Sequence, residues 1–123
     1  MNINLKTKDM ELTDEIKVYF ENKMSSLIER YLISLDEKEN LQLDCEVRRE
    51  PHHQKGTVFY VEVNLEVPGK ILRATKYATD VRTGIDTVES DLKRQIKKYR
   101  EIRESKTRKG WLKLKSLFRE ILK

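Results

Sequence analysis

Phe59-Tyr60-Val61-Glu62-Val63-Asn64-Leu65-Glu66-Val67-Pro68-Gly69 is the stretch on which the fold turns. Phe59, Val61, Val63, Leu65 and Val67 alternate with Tyr60, Glu62, Asn64 and Glu66. That period of two is a strand with one buried and one wet face. Pro68-Gly69 is a tight turn, and Ile71 to Ala78 returns as a second strand with Leu72, Ala74 and Ala78 on one face. A half-polar hairpin needs an apolar layer against its other side.

Reading toward the N-terminus, Leu41 to Glu50 has the same period. Leu43, Cys45 and Val47 face one way, and Asp44, Glu46 and Arg48 the other. Pro51-His52-His53-Gln54-Lys55-Gly56 reads as the intervening turn. Asn2 to Thr7 is a fourth strand, with Ile3 and Leu5 opposite Asn4 and Lys6. Thr13 followed by Asp14 and Glu15 is a helix start. Ile16, Phe20, Met24, Leu27, Ile28 and Tyr31 then make one apolar stripe, ending near Leu32.

Toward the C-terminus, Asp80 is a helix cap. Val81, Ile85, Val88, Leu92, Ile96 and Tyr99 carry a second helix to about Arg103. The order is β-α-β-β-β-α. The fold class is therefore α+β: a four-stranded mixed sheet with two helices packed on one face, plus a short basic C-terminal extension. The first strand–helix–strand unit should be a right-handed crossover and the other strands antiparallel hairpins. The expected organisation is one domain over residues 1–105 and an extension over 106–123. Gly110 is expected to interrupt helix. Beyond it, Trp111, Leu114, Phe118, Ile121 and Leu122 cluster opposite Lys113, Arg119 and Lys123, a basic amphipathic segment of about 13 residues, marginal as an isolated helix.

A chain of 123 residues with 37% hydrophobic and 38% charged residues can build a single core. Cys45, alone, cannot form an internal disulfide and fits a reducing compartment as a small buried hydrophobe. No apolar run reaches the roughly 20 residues of a membrane span, and the start does not read as a signal peptide. The expected location is cytoplasmic.

Charge is divided unevenly. Lys93 to Lys123 holds 13 basic residues against Glu101, Glu104 and Glu120, a net of +10, and the first 92 residues carry −5. Such a split points to a polyanionic partner. At 100° per residue, Lys93, Lys97 and Arg100 fall on one ridge of the second helix and Arg94 and Lys98 on the next, away from Leu92, Ile96 and Tyr99. These cations repel one another, at a cost that phosphates would relieve.

Catalytic chemistry has little to stand on. His52-His53 has no further Cys, Asp or Glu at ligand spacing, and no phosphate-cradling glycine loop or nucleophile–base set is present. The expectation is no enzyme, no cofactor, no metal and no small-molecule substrate.

Three features together resemble a known family. They are the strand and helix order, the helix start Thr13-Asp14-Glu15-Ile16, and the run Asp80-Val81-Arg82-Thr83-Gly84-Ile85-Asp86 followed by Leu92-Lys93-Arg94-Gln95-Ile96-Lys97-Lys98-Tyr99-Arg100. Over about residues 1 to 105 the chain resembles the bacterial ribosome hibernation-promoting factor and ribosome-associated inhibitor (sigma-54 modulation protein) family. The resemblance implies a translation inhibitor that binds the small ribosomal subunit and its rRNA between head and body, in the channel of messenger and transfer RNA. Carried over, Lys23 matches a basic position late in the first helix, and Arg94, Gln95, Lys98 and Arg100 match the signature of the second. Lys93 and Lys97 add charge where some members are neutral. Asp91 stands where a Lys is common, and Arg82 where an aromatic residue is. The implied RNA-binding set is Lys23, Lys93, Arg94, Lys97, Lys98 and Arg100. The chain looks like a short form, expected to be monomeric when free. Two other readings stay open: a generic double-stranded RNA-binding module, and a membrane-surface protein acting through residues 111–123.

Overall fold

Thr13 and Asp80 start the two main helices where the sequence places them. Thr13 Oγ1 accepts from the Ile16 N–H at 3.2 Å. Asp80 accepts from the Thr83 N–H and from the Thr83 hydroxyl, both at 2.8 Å. Those bonds, the backbone one foremost, hold the Asp80 carboxyl below its ordinary pKa. The computed structural model describes residues 1–53 and 56–121, without the side chains of His52, His53, Thr107, Trp111, Leu114, Phe118, Glu120 and Ile121. Its elements are β1 (Asn2–Lys8), α1 (Asp14–Tyr31), α2 (Ile33–Glu39), β2 (Gln42–His53), β3 (Gly56–Val67), β4 (Lys70–Ala78) and α3 (Val81–Ile121).

The strands form one sheet in the order β1-β2-β3-β4. β1 runs parallel to β2, with Leu5 opposite Cys45. β2–β3 and β3–β4 are antiparallel, with Val63 opposite both Cys45 and Ala74. The side chains that alternate inward, Leu43, Cys45, Val47, Val61, Val63, Leu65, Leu72 and Ala74, share a core with Phe20, Met24, Leu27 and Ile28 of α1 and Ile85, Val88, Leu92 and Ile96 of α3. Burial pushes the Cys45 thiol up to about 12, so it stays protonated and unreactive near neutral pH. α3 crosses β3 so closely that a Cβ at Gly84 would lie 2.7 Å from Val61 Cγ2. The other face of the sheet is open. On it Tyr60 and Tyr77 meet with ring centroids 4.9 Å apart, Arg48 covers Tyr60 at 4.4 Å, and Arg73 pairs with Glu62.

Three local expectations differ from the structure. First, Pro51 to His53 extend β2 rather than forming the turn, with a register shift between Glu50 and His53. β1 ends its pairing at Lys8 opposite Arg48, so beyond that point one edge of β2 needs no donor, and a proline there is tolerated. Gln54 and Lys55, and the side chains of the two histidines, lie outside the described residues. Second, α2 fills part of the connection after α1. It buries no side chain, so it has no apolar period to announce it. Third, α3 is a continuous helix through Gly110 instead of ending near Arg103. One internal glycine costs only about 1 kcal/mol, and the Lys, Arg, Leu and Glu around it are strong helix formers. Leu122 and Lys123 lie outside the described residues.

Candidate nucleic-acid interface

α1 and α3 lie side by side and leave a groove between them, a cavity of about 320 Å³ lined by Tyr19, Asn22, Lys23, Ser26, Leu27, Arg30, Tyr31, Glu89 and Lys93. Its floor is the edge of the two apolar stripes, and its rims are polar. At one end Asp86 of α3 accepts from the Tyr19 hydroxyl and from Lys23 Nζ, the latter at 2.9 Å. Burial works against the Asp86 charge, but those two bonds outweigh it and the carboxyl sits below its ordinary pKa. The same bond to Asp86 outweighs desolvation at Lys23, whose pKa is raised. Arg82 lies over the Tyr19 ring at 4.4 Å and Lys23 at 5.4 Å from its centroid. At the other end the Tyr31 ring has Arg30 at 5.7 Å and Lys97 at 5.6 Å.

The six residues expected to contact RNA do not form one surface. Lys23, Lys93 and Lys97 gather at the inter-helix groove. Lys23 is already engaged by Asp86, with Glu89 4.0 Å away. Arg100 follows on the same flank of α3. It bridges to Glu104 at 3.5 Å and lines a second hollow with Arg30, Lys38 and Arg103. Arg94 and Lys98 are exposed on the outer side of α3, and Arg94 is held by Asp91 at 2.8 Å.

Gln95, matched above to the family's polar signature, serves the sheet. Its side-chain amide donates to the Arg73 carbonyl at 2.7 Å and its oxygen accepts from the Arg73 N–H at 3.2 Å. It thus closes part of the free edge of β4 as a neighbouring strand would. Nearby, Arg103 donates to the Tyr99 hydroxyl at 3.0 Å, and that hydroxyl donates to the Pro68 carbonyl at 2.8 Å, tying α3 to the β3–β4 turn.

Sequence reasoning missed Arg30, Tyr19 and Tyr31 as groove residues. A signal was there: Arg30 stands seven residues, two helical turns, after Lys23 and so shares its face. Tyr31 passed as a member of the apolar stripe, and Tyr19, just before Phe20, drew no reading at all. Among the described residues no cluster of three or more His, Cys, Asp or Glu could hold a metal ion, and no helix is long and apolar enough to cross a membrane.

Residues 3–104 match the model of a protein family described as sigma 54 modulation protein / S30EA ribosomal protein. Among curated proteins, the chain is 30% identical over 96 residues to a ribosome hibernation promotion factor of Deinococcus radiodurans, covering 78% of this chain and 47% of that one. It is 32% identical over 100 residues to one of Lactococcus lactis subsp. cremoris, covering 81% and 50%. The chain thus spans about half the length of these relatives. Among solved structures it is similar to the N-terminal domain of Thermus thermophilus Protein Y, with TM-score 0.59 and 26% identity, covering 80% of this chain and 99% of that one. A ribosomal subunit interface protein from Coxiella burnetii shares the fold, with TM-score 0.63 at 16% identity over 82% of this chain and 99% of that one.

Proposed function

For a chain that belongs to the sigma 54 modulation protein / S30EA ribosomal protein family, we propose ribosome hibernation as the function: a non-enzymatic protein that binds small-subunit rRNA and blocks translation by occupying the channel of messenger and transfer RNA. The observation that carries this is the groove between α1 and α3, where Lys23, Arg30, Lys93 and Lys97 surround two tyrosine rings. Cations beside half-buried aromatic rings suit phosphate and base together. The matched relatives carry the name ribosome hibernation promotion factor, which supports the same reading. Residues 1–105 would be the binding unit, acting in the cytoplasm by volume rather than by turnover.

The test is co-sedimentation with purified small subunits across a salt series. Arg30→Gln, Lys93→Gln and Lys97→Gln together should lower the slope of log affinity against log salt by about 2, at ~0.7 per lost contact on single-stranded RNA. Arg94→Gln with Lys98→Gln should lower it less. Wild-type binding to any free duplex RNA as tightly as to subunits would make the protein a generic RNA binder. A groove triple that binds subunits like the wild type would sink the groove as the site.

A further inference from the structure

Past Lys106, which lines a hollow with Pro68 and Gly69 of the β3–β4 turn, α3 runs on as a helix to Ile121. Lys106, Arg108, Lys109, Lys113, Lys115 and Arg119 on it are all exposed. None of the six has an ion-pair partner among the described residues. A helix segment this charged and this poorly packed gains little from the domain. Its cations, however, are not scattered. At about 100° per residue, Lys93, Lys97, Arg108, Lys115 and Arg119 fall within an arc of about 80°. Their spacings of 4, 11, 7 and 4 are whole helical turns to within a small drift. Lys106, Lys109 and Lys113 fall on a second arc, about 80° or more from every cation of the first and in line with Gln95 and Lys98.

We propose that the projecting half of α3 extends the RNA-contacting stripe of the groove, so that Arg108, Lys115 and Arg119 form a second contact with the same polyanionic RNA, beyond the domain's own footprint. This rests on the ribosomal reading above. From Lys93 to Arg119 the stripe is about 39 Å long at 1.5 Å per residue. It has two parts. The groove cluster ends at Lys97, and the outer cluster begins at Arg108, about 17 Å further along the axis. Glu101 and Glu104 occupy the neck between them, Glu104 held by Arg100 at 3.5 Å. The acids at the neck and the cations on either side describe a two-point ligand, with RNA held at both ends of one rod. Linking two weak contacts on a stiff element raises overall affinity without any new chemistry.

Other partners fit less well. A second copy would bring like charges together, since residues 106–123 carry a net of +6. A membrane-lying helix would keep its polar arc free of large apolar groups, yet Leu112, 58% exposed, sits among Arg108, Lys115 and Arg119.

The experiment compares two triple variants of equal charge and equal helix propensity. One is on the stripe, Arg108→Gln, Lys115→Gln and Arg119→Gln. The other is off it, Lys106→Gln, Lys109→Gln and Lys113→Gln. Both are measured against purified small subunits across a salt series, with circular dichroism to confirm that helix content is kept. The on-stripe triple should bind about tenfold or more weakly at moderate salt, with a slope reduced by about 2, and the off-stripe triple only a fewfold more weakly. Equal losses in the two would overturn the stripe in favour of diffuse attraction. No loss in either would overturn the contact. Wild-type capture by anionic phosphatidylserine vesicles that the on-stripe triple abolishes, with subunit binding intact, would replace RNA by lipid. Wild-type failure to bind subunits at all would remove the ribosomal reading itself, a result distinct from each of these.

Discussion

Gly84 and Gly110 lie 26 residues apart in one helix. A side-chain carbon at Gly84 would strike Val61 Cγ2 at 2.7 Å, and one at Gly110 would meet nothing within 4 Å. The first glycine is where α3 presses on β3. The second is a neutral interruption, where an added carbon would enter open space. The same helix therefore holds two physical regimes. From Val81 to Arg103 its stability comes from an apolar stripe on a sheet. Beyond that the described side chains are exposed, and local helix propensity works against the mutual repulsion of the cations. Family membership by sequence extends over residues 3–104, the first regime and what it packs on.

The sharpest way to break this comparison is to truncate one leucine-sized side chain in each half. Ile96 is fully buried in the core cluster, and Leu117 is 50% exposed. Ile96→Ala should cost about 2–5 kcal/mol in urea unfolding, through lost transfer energy and the cavity left behind. Leu117→Ala should change stability by less than about 0.5 kcal/mol. Comparable losses would mean that the outer half is part of the cooperative fold.

What could be seen in the sequence divides along the same line. The packed half announces itself, because burial imposes a period: Val81, Ile85, Val88, Leu92, Ile96 and Tyr99 are the stripe, and all six are buried. The alternation of β2 and β3 is equally plain, since one face of each is core. Where burial imposes nothing, the reading failed. α2 buries no residue and was invisible. The continuity of α3 past Gly110 is a matter of summed propensities of a few tenths of a kcal/mol, which no single residue displays. The groove was half legible. Cations are conspicuous in a sequence, but which of them face α1 depends on how two helices pack. The roles of Gln95 on the β4 edge and of Asp86 under Lys23 are tertiary contacts 22 and 63 residues apart.

The two glycines give a smaller, signed effect. Gly84→Ala gains up to about 1 kcal/mol of helix propensity but forces Val61 or the helix to shift, at about 1–3 kcal/mol. With the full gain set against that cost, the net expectation is a loss of up to about 2 kcal/mol. Gly110→Ala meets no obstacle, so it should raise helix content by circular dichroism while leaving the main melting transition in place. A Gly84→Ala protein as stable as the wild type would show that the close approach of α3 to β3 relaxes freely.

The smallest effect concerns charge, and it too separates the halves. In the packed half Asp86 is ion-paired with Lys23. In the projecting half the exposed cations have no such partner among the described residues. The Asp86 carboxyl is lowered in the fold, so its contribution is present above the unfolded value near pH 4 and is lost as pH falls through the folded one. Lys23 is raised, so its contribution is present below about pH 10.4 and is lost as pH rises through its folded value. Both side chains are partly exposed, which keeps the effect of the pair under about 1 kcal/mol. Asp86→Asn should therefore be slightly less stable than the wild type at pH 7, and the gap should close as pH is taken from 5 down to 3. Arg108→Gln should show almost no gap at either pH, because Arg108 is exposed and has no ion pair among the described residues. A gap for Asp86→Asn that widens on acidification would mean that the carboxylate is a burden on the folded state. Its bonds to Tyr19 and Lys23 would then serve to hold those side chains at the groove, at a cost in stability, rather than to join α1 to α3.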